Sequence, residues 1–186
     1  MEAETDSALM RRVDGGETDA LAFLFERHHV ALFRYLLHLT GNRELSEDLV
    51  QEVFLRLLKY SRTYDHDQSF AVWIYGMARN AYFDARRKQN RERPSLEIAD
   101  VASAAMHADD LIAREQDVNF VRQALERLPE EKREVLVLSR FHGMRYQEIA
   151  RLLHCETGAI KVRVYRALKE LRGHFCELRG EKLYDV

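Results

Sequence analysis

The sequence predicts an all-α protein: two small helical domains joined by a flexible acidic linker. Three observations carry this. Apolar residues recur at three- and four-residue spacing through most of the chain, the period of amphipathic helices, and no run shows the alternation of a strand. Only two prolines and eight glycines interrupt 186 residues, and one of them, Pro94, opens a stretch with no sustained period. With 46% apolar and 32% charged residues, each half can build a core and neither has the composition of a disordered chain.

The first helical pattern runs from about Asp19 to Leu39, with Leu21, Phe25, Leu32, Phe33, Leu36 and Leu37 as its expected core. Gly41 should stop it and Asn42 should cap the next helix. That helix spans Arg43 to Tyr60 and is expected to bury Leu45, Leu49, Val50, Val53, Phe54, Leu57 and Leu58. A polar loop, Ser61 to Ser69, leads to a third helix from Phe70 to about Lys88, with Ile74, Met77 and Ala81 inward. Beyond the linker, Leu111, Val118, Val121, Leu125 and Leu128 form one stripe before Pro129. Glu130 to Phe141 follows as another helix, closed by Gly143. The boundaries are an acidic lead-in at 1–18, a first domain at 19–93, the linker at 94–108, a second domain at 109–178 and a tail at 179–186.

Residues 143–172 read as a helix-turn-helix. Its first helix runs from Tyr146 to Leu153 and buries Ile149, Ala150 and Leu153; the turn passes through His154 and Cys155. The second helix places Ile160, Val164, Leu168 and Leu171 inward. Lys161, Arg163, Arg166, Lys169 and Arg172 stand off that face against Glu170, a net charge of +4 in a chain whose total is −2. A helix of this width fits the DNA major groove, and its N-terminal side chains can reach base edges. A basic helix alone would be read as a solvated face; helix, tight turn and basic helix together favour DNA.

Charge is segregated elsewhere too. Residues 1–20 carry six acids and two bases, and residues 94–117 carry six acids against Arg114. Between them, Arg79, Arg86, Arg87, Lys88, Arg91 and Arg93 outnumber Asp84 and Glu92. Two basic patches around an acidic connector suggest two nucleic-acid contacts. The basic third helix also holds Phe70, Trp73, Tyr75, Tyr82 and Phe83. Aromatics among cations suit single strands, whose bases stack on rings for roughly 1–3 kcal/mol each. Equally, Phe70 and Trp73 can cap the domain core, which leaves the Arg86-Arg87-Lys88 cluster unexplained. On the second helix, Asp48, Glu52, Leu55 and Lys59 share a stripe with Gln51 beside it. A leucine inside a polar rim has the anatomy of a protein-binding face.

No apolar run approaches ~18 residues and no basic-then-apolar start is present, so neither a membrane span nor a signal peptide is expected. Two cysteines cannot build a disulfide framework, which fits a cytoplasmic protein. Neither a glycine-rich phosphate loop nor a nucleophile elbow occurs, and no catalytic residue, cofactor or metal is expected. Adjacent His28 and His29 cannot share a metal from one helix. A zinc-dependent sensor or enzyme using His154, Cys155, His174 and Cys176 is a remote rival.

Assembled, these segments resemble the group IV (extracytoplasmic function, ECF) sigma factors of bacterial RNA polymerase. FRYLLHLTGNRELSEDLVQEVFLRLLKY followed by FAVWIYGMARNAYFDARRK looks like the sigma-2 domain. ALERLPEEKREVLVLSRFHGMRYQEIARLL and GAIKVRVYRALKELR look like the sigma-4 domain. Both motifs in this order cover nearly the whole chain and are far more specific than either alone.

The resemblance implies roles. Asp48, Gln51 and Glu52, with Leu55 and Arg56, would dock on the clamp helices of the largest polymerase subunit. The second domain would meet the β flap. Tyr64, Asp65, His66 and Gln68 in the loop, with Trp73 and Asn80, would capture unpaired bases of the −10 element while Arg86, Arg87 and Lys88 hold phosphates. Thr157, Lys161, Val162, Arg163, Tyr165 and Arg166 would read the −35 duplex. The linker would thread toward the active site and RNA exit channel. An anti-sigma factor, at the inner membrane if it is membrane-bound, would hold the cytoplasmic protein inactive. Two departures bear on the −35 sequence. Val162 replaces a common serine or threonine, implying a thymine methyl contact, and His154 replaces a common turn glycine. The main rival is a stand-alone helix-turn-helix regulator that binds duplex DNA without polymerase.

Overall fold

The computed structural model describes residues 4–92 and 112–180. The linker 94–108, Arg93, the expected start of the second domain at Asp109 with Leu111, and the tail from 181 lie outside the described residues. The helices are α1 (Asp6–Asp14), α2 (Thr18–Thr40), α3 (Arg43–Tyr60), α4 (Phe70–Glu92), α5 (Ile112–Glu126), α6 (Glu130–Leu136), α7 (Tyr146–Leu152) and α8 (Thr157–Arg179). Among the described residues there is no strand. The chain divides into two compact units: one built on α1 to α4, the other on α5, α6, α8 and most of α7.

In the first unit the α2–α3 corner follows from local chemistry. Gly41 takes a left-handed φ of 64° and its N–H bonds back to the Leu37 carbonyl, ending α2. Asn42 then caps α3, its Oδ1 accepting from the Leu45 N–H at 3.0 Å. Buried Ser46 donates to the Asn42 carbonyl at 2.6 Å, and Thr40 Oγ1 accepts from the Asn42 N–H at 3.0 Å. Both backbone ends of the corner therefore find partners within the corner itself, around buried Ser46.

Three expectations about this core need correction. On α2 the buried stripe is Ala20, Leu24, Leu32, Tyr35, Leu36 and Leu39, whereas Leu21, Phe25, Phe33 and Leu37 are only half-buried. The pattern was apolar on too wide an arc for periodicity to fix its phase. Leu58 faces outward, 45% exposed, because Val50, Val53, Phe54 and Leu57 already fill the inner arc of α3. The lead-in contains α1, capped by the Thr5 hydroxyl and burying Leu9, Met10 and Val13.

In the second unit, Ala124, Leu125 and Leu128 pack with Val135 to Leu138, Ile149, Ile160, Val164 and Ala167. Val118, expected in the core stripe, is 70% exposed. The single helix expected over 130–141 is instead α6 followed by a π turn, Val137–Phe141. There the His142 N–H reaches the Val137 carbonyl at 3.1 Å, and Ser139 Oγ donates to the Val135 carbonyl at 2.6 Å. The buried run from Glu134 to Leu138 crosses from α6 into this wider turn. Arg133 donates to the Glu126 and Leu128 carbonyls and so caps α5, while Lys132 pairs with Glu170 on α8.

Candidate nucleic-acid and protein interfaces

The α7–α8 turn carries the one positive φ of a non-glycine residue among the described residues, His154 at 51°. A left-handed conformation costs an L-residue roughly 1–2 kcal/mol, so histidine at this turn position carries strain that a glycine would not. The Cys155 N–H closes the turn on the Ala150 carbonyl at 2.9 Å. Glu156 then takes the extended conformation of a cap and α8 begins at Thr157.

On α8, Ile160, Val164 and Ala167 are buried, with Leu168 half-buried beside them. This directs Lys161, Val162, Arg163, Tyr165 and Arg166 outward, all exposed, while Thr157 is half-buried at the helix start. Tyr165 is 70% exposed, unusual for an aromatic that nothing in the fold requires at the surface. Cations, a branched methyl pair and a phenol thus share one helix face, a combination able to hold phosphates, meet a thymine methyl and donate to base edges.

The first unit distributes its expected contacts differently. Asp65 and Gln68 are exposed in the loop, but Tyr64 is buried. Its hydroxyl donates to the Gln68 carbonyl at 2.9 Å, and its ring meets Trp73 at 4.9 Å, His66 at 5.0 Å and Phe70 at 5.9 Å. Tyr64 therefore organises the loop from below and is corrected from a base contact to a support. Among the helix aromatics, Phe70, Tyr75 and Tyr82 lie in the core; Trp73 stays half-exposed at its edge, and Phe83 lies under the Arg79 guanidinium at 4.7 Å. Core capping thus accounts for Phe70, and the single-strand reading retains Trp73. Asn80, Arg86, Arg87 and Lys88 are exposed along the outer side of α4. Arg87, Lys88 and Arg91 line an open notch with Asp84.

On α3, Asp48 and Gln51 are exposed, Leu55 is 64% exposed, and Glu52 and Arg56 are half-buried. Arg56 donates to Glu52 at 2.7 Å and to Asp84 of α4 at 2.9 Å, a tie between helices. The hydrogen bond to Glu52 foremost, then that to Asp84, hold its guanidinium above its ordinary value despite burial. Arg87 and then Arg56 hold the Asp84 carboxyl below the usual range. The open face consists of Asp48, Gln51 and Leu55, extended by Leu58, which sequence reasoning assigned to the core. Its signal was present: Leu58 lies three residues beyond Leu55 and shares its side of the helix.

Among the described residues, no group of three His, Cys, Asp or Glu side chains could hold a metal ion, and Cys155 and Cys176 are half-buried free thiols. No helix among them is long and apolar enough to cross a membrane.

Residues 24–92 match the family model for Sigma-70 region 2, and residues 121–171 match that for Sigma-70, region 4. Among curated relatives, the RNA polymerase sigma factor CarQ of Myxococcus xanthus is 33% identical over 95% of this chain and 99% of its own. The ECF RNA polymerase sigma factor SigX of Bacillus subtilis is 28% identical over 90% and 89%. Among solved structures, the sigma factor RpoE in complex with the anti-sigma factor NepR from Bartonella quintana superposes with a TM-score of 0.71. It is 25% identical and covers 88% of this chain and 98% of that one.

Proposed function

The chain belongs to the extracytoplasmic function branch of the sigma-70 family of RNA polymerase sigma factors, and we propose that it directs core polymerase to promoters. In this reading the second unit binds the −35 duplex and meets the β flap. The first unit holds the clamp helices and the melted −10 element.

The observation that carries the reading is the outer face of α8. Lys161 and Arg166 would take phosphates, Val162 a thymine methyl, and Arg163 and Tyr165 the flanks of the groove. No bond is made or broken by this chain. Asp65, Gln68 and Asn80 would hold extruded bases beside Trp73, offsetting an unstacking cost of a few kcal/mol per base. Arg86, Arg87 and Lys88 would keep the strand in place. Two modest DNA contacts joined through polymerase gain specificity from effective concentration. Asp48, Gln51 and Leu55 would supply the join, with Leu58 beside them. An anti-sigma factor is the expected inhibitor, since RpoE of Bartonella quintana is solved bound to one. The place of action is the cytoplasm, or the inner membrane when that inhibitor is membrane-bound.

Run-off transcription from the DNA upstream of its own gene, with bacterial core polymerase, tests this directly. A transcript that depends on the protein is expected, and Asp48→Arg should lower it by roughly thirtyfold or more, the scale of an interface hot spot, at an unchanged melting temperature. Tight duplex binding by the protein alone, with no transcript, would mean a stand-alone regulator instead.

A further inference from the structure

Helix α1 has polar side chains aimed in two directions. Asp6, at its start, accepts from His28 Nε2 at 2.9 Å and pairs with Arg27, anchoring the helix to α2. Ser7 and Asp14 point the other way, at the loop between α3 and α4. Ser7 Oγ lies 3.2 Å from the Tyr64 oxygen. The phenol proton goes to the Gln68 carbonyl, so the serine is the donor. At the far end of α1, the Asp14 carboxylate stands 3.7 Å from His66 Nε2.

These contacts fix the loop at three places: Tyr64, His66 and the backbone of Gln68. What remains is set by the loop itself. Asp65 accepts from the Asp67 N–H at 3.0 Å and from the Gln68 side chain at 3.1 Å, while the Gln68 N–H returns to the Asp65 carbonyl at 2.9 Å. The exposed groups are thus ordered by bonds within the loop, and α1 meets the two inward side chains, Tyr64 and His66, beneath them. Core packing alone would need only Leu9, Met10 and Val13; it does not require a serine and an aspartate directed at the loop.

We propose that α1 is a positioning clasp for the −10 capture loop, with Ser7 acting through Tyr64 and Asp14 through His66. The proposal rests on the reading of residues 61–69 as a DNA-contacting loop. A loop ordered in advance does not have to lose its freedom when it closes on bases, so the clasp raises affinity for the melted strand without touching it. Ser7 and Asp14 are positioning residues and meet no DNA.

The test uses full-length protein assembled with core polymerase and a single-stranded oligonucleotide carrying its −10 element. Ser7→Ala with Asp14→Asn should weaken oligonucleotide binding by roughly five- to tenfold, the worth of one hydrogen bond and one weak polar contact. Binding of the −35 duplex and of core polymerase should stay within about twofold. Tyr64→Phe, which keeps the ring and removes the relay, should lower oligonucleotide affinity in the same direction. A lower melting temperature with unchanged oligonucleotide affinity, measured where the protein is folded, overturns the clasp and leaves α1 a packing element. Asp65→Ala and Gln68→Ala separate the two levels. If they weaken oligonucleotide binding and the α1 variants do not, the clasp alone fails. If neither set does, the loop reading fails and the clasp with it.

Discussion

On α8 the groups that would face DNA stand on the outside of one helix, positioned by the buried line Ile160, Val164 and Ala167. In the first unit the corresponding groups are spread over a loop and α4, and three of the nine are turned wholly or partly inward. Tyr64 is buried, His66 and Trp73 are half-buried, and only Asp65, Gln68, Asn80 and the cations near the end of α4 are exposed. The difference matches the two forms of DNA. A duplex offers a rigid groove that a preformed helix can enter as it is. Unpaired bases have no fixed geometry, so the protein would have to supply the order, and in the proposed reading tertiary contacts around a short loop do so. Readout by a helix would depend on one element, whereas readout by the loop would depend on α1, α3, α4 and the ring cluster between them.

The largest effect that would sharpen this contrast comes from α8. Replacing Arg166 or Tyr165 by alanine removes a group that touches nothing else essential to the fold. A loss of roughly 1–3 kcal/mol in −35 duplex affinity is expected at unchanged stability. For Arg166 the slope of log affinity against log salt should fall by about 0.9 on duplex. For Arg86→Ala, measured on single-stranded −10 DNA, it should fall by about 0.7. Equal slopes, or an Arg166→Ala loss that appears only as unfolding, would erase the distinction between the two modes. Equilibrium binding across a salt series gives both numbers.

The same contrast governs what could be read in the sequence. The exposed face of α8 was legible because the period of its buried residues fixes the direction of every other side chain. Gly41 and Asn42 were legible because helix ends obey local chemistry, and His154 because the turn demanded a left-handed residue. Tyr64 was not. Whether a loop tyrosine points at solvent or under the loop depends on Ser7, more than fifty residues away in the chain, and on ring neighbours that no spacing rule reports. Val118 and Leu58 were placed inward for a related reason: an apolar residue on a helix margin becomes core only if a neighbouring element covers it. The π turn after α6 escaped because a single back-bonding serine, Ser139, gives little signal in a run of apolar residues.

A smaller effect tests the dependence of the first unit on α1. Burial pushes the Asp6 carboxyl up, but the bonds and charges of His28 and Arg27 outweigh it, and the net direction is downward. A carboxyl lower in the folded than in the unfolded state stabilises the fold above the ordinary Asp range near pH 4, and that stabilisation is lost as pH falls through the depressed value. Asp6→Asn should therefore cost about 1 kcal/mol at neutral pH, shrinking toward zero in acid. Denaturant unfolding of both proteins from about pH 3 to 7 reads this difference directly. No gap at neutral pH would mean that α1 is held by its apolar face alone.

The smallest effect concerns the α8 side of the comparison. If that helix works as a preformed reader, strain in the turn that precedes it is a cost to folding and not a part of readout. His154→Gly relieves roughly 1–2 kcal/mol of left-handed strain and gives back about half through the greater freedom of glycine in the unfolded chain. A net gain of about 0.5–1 kcal/mol follows, with −35 affinity unchanged. The imidazole is exposed and α8 begins beyond it at Thr157, so the fold offers no structural reason for histidine at this position. If the glycine variant is more stable but binds the duplex less well, His154 itself contacts DNA, and the reading surface starts in the turn, one step before the helix.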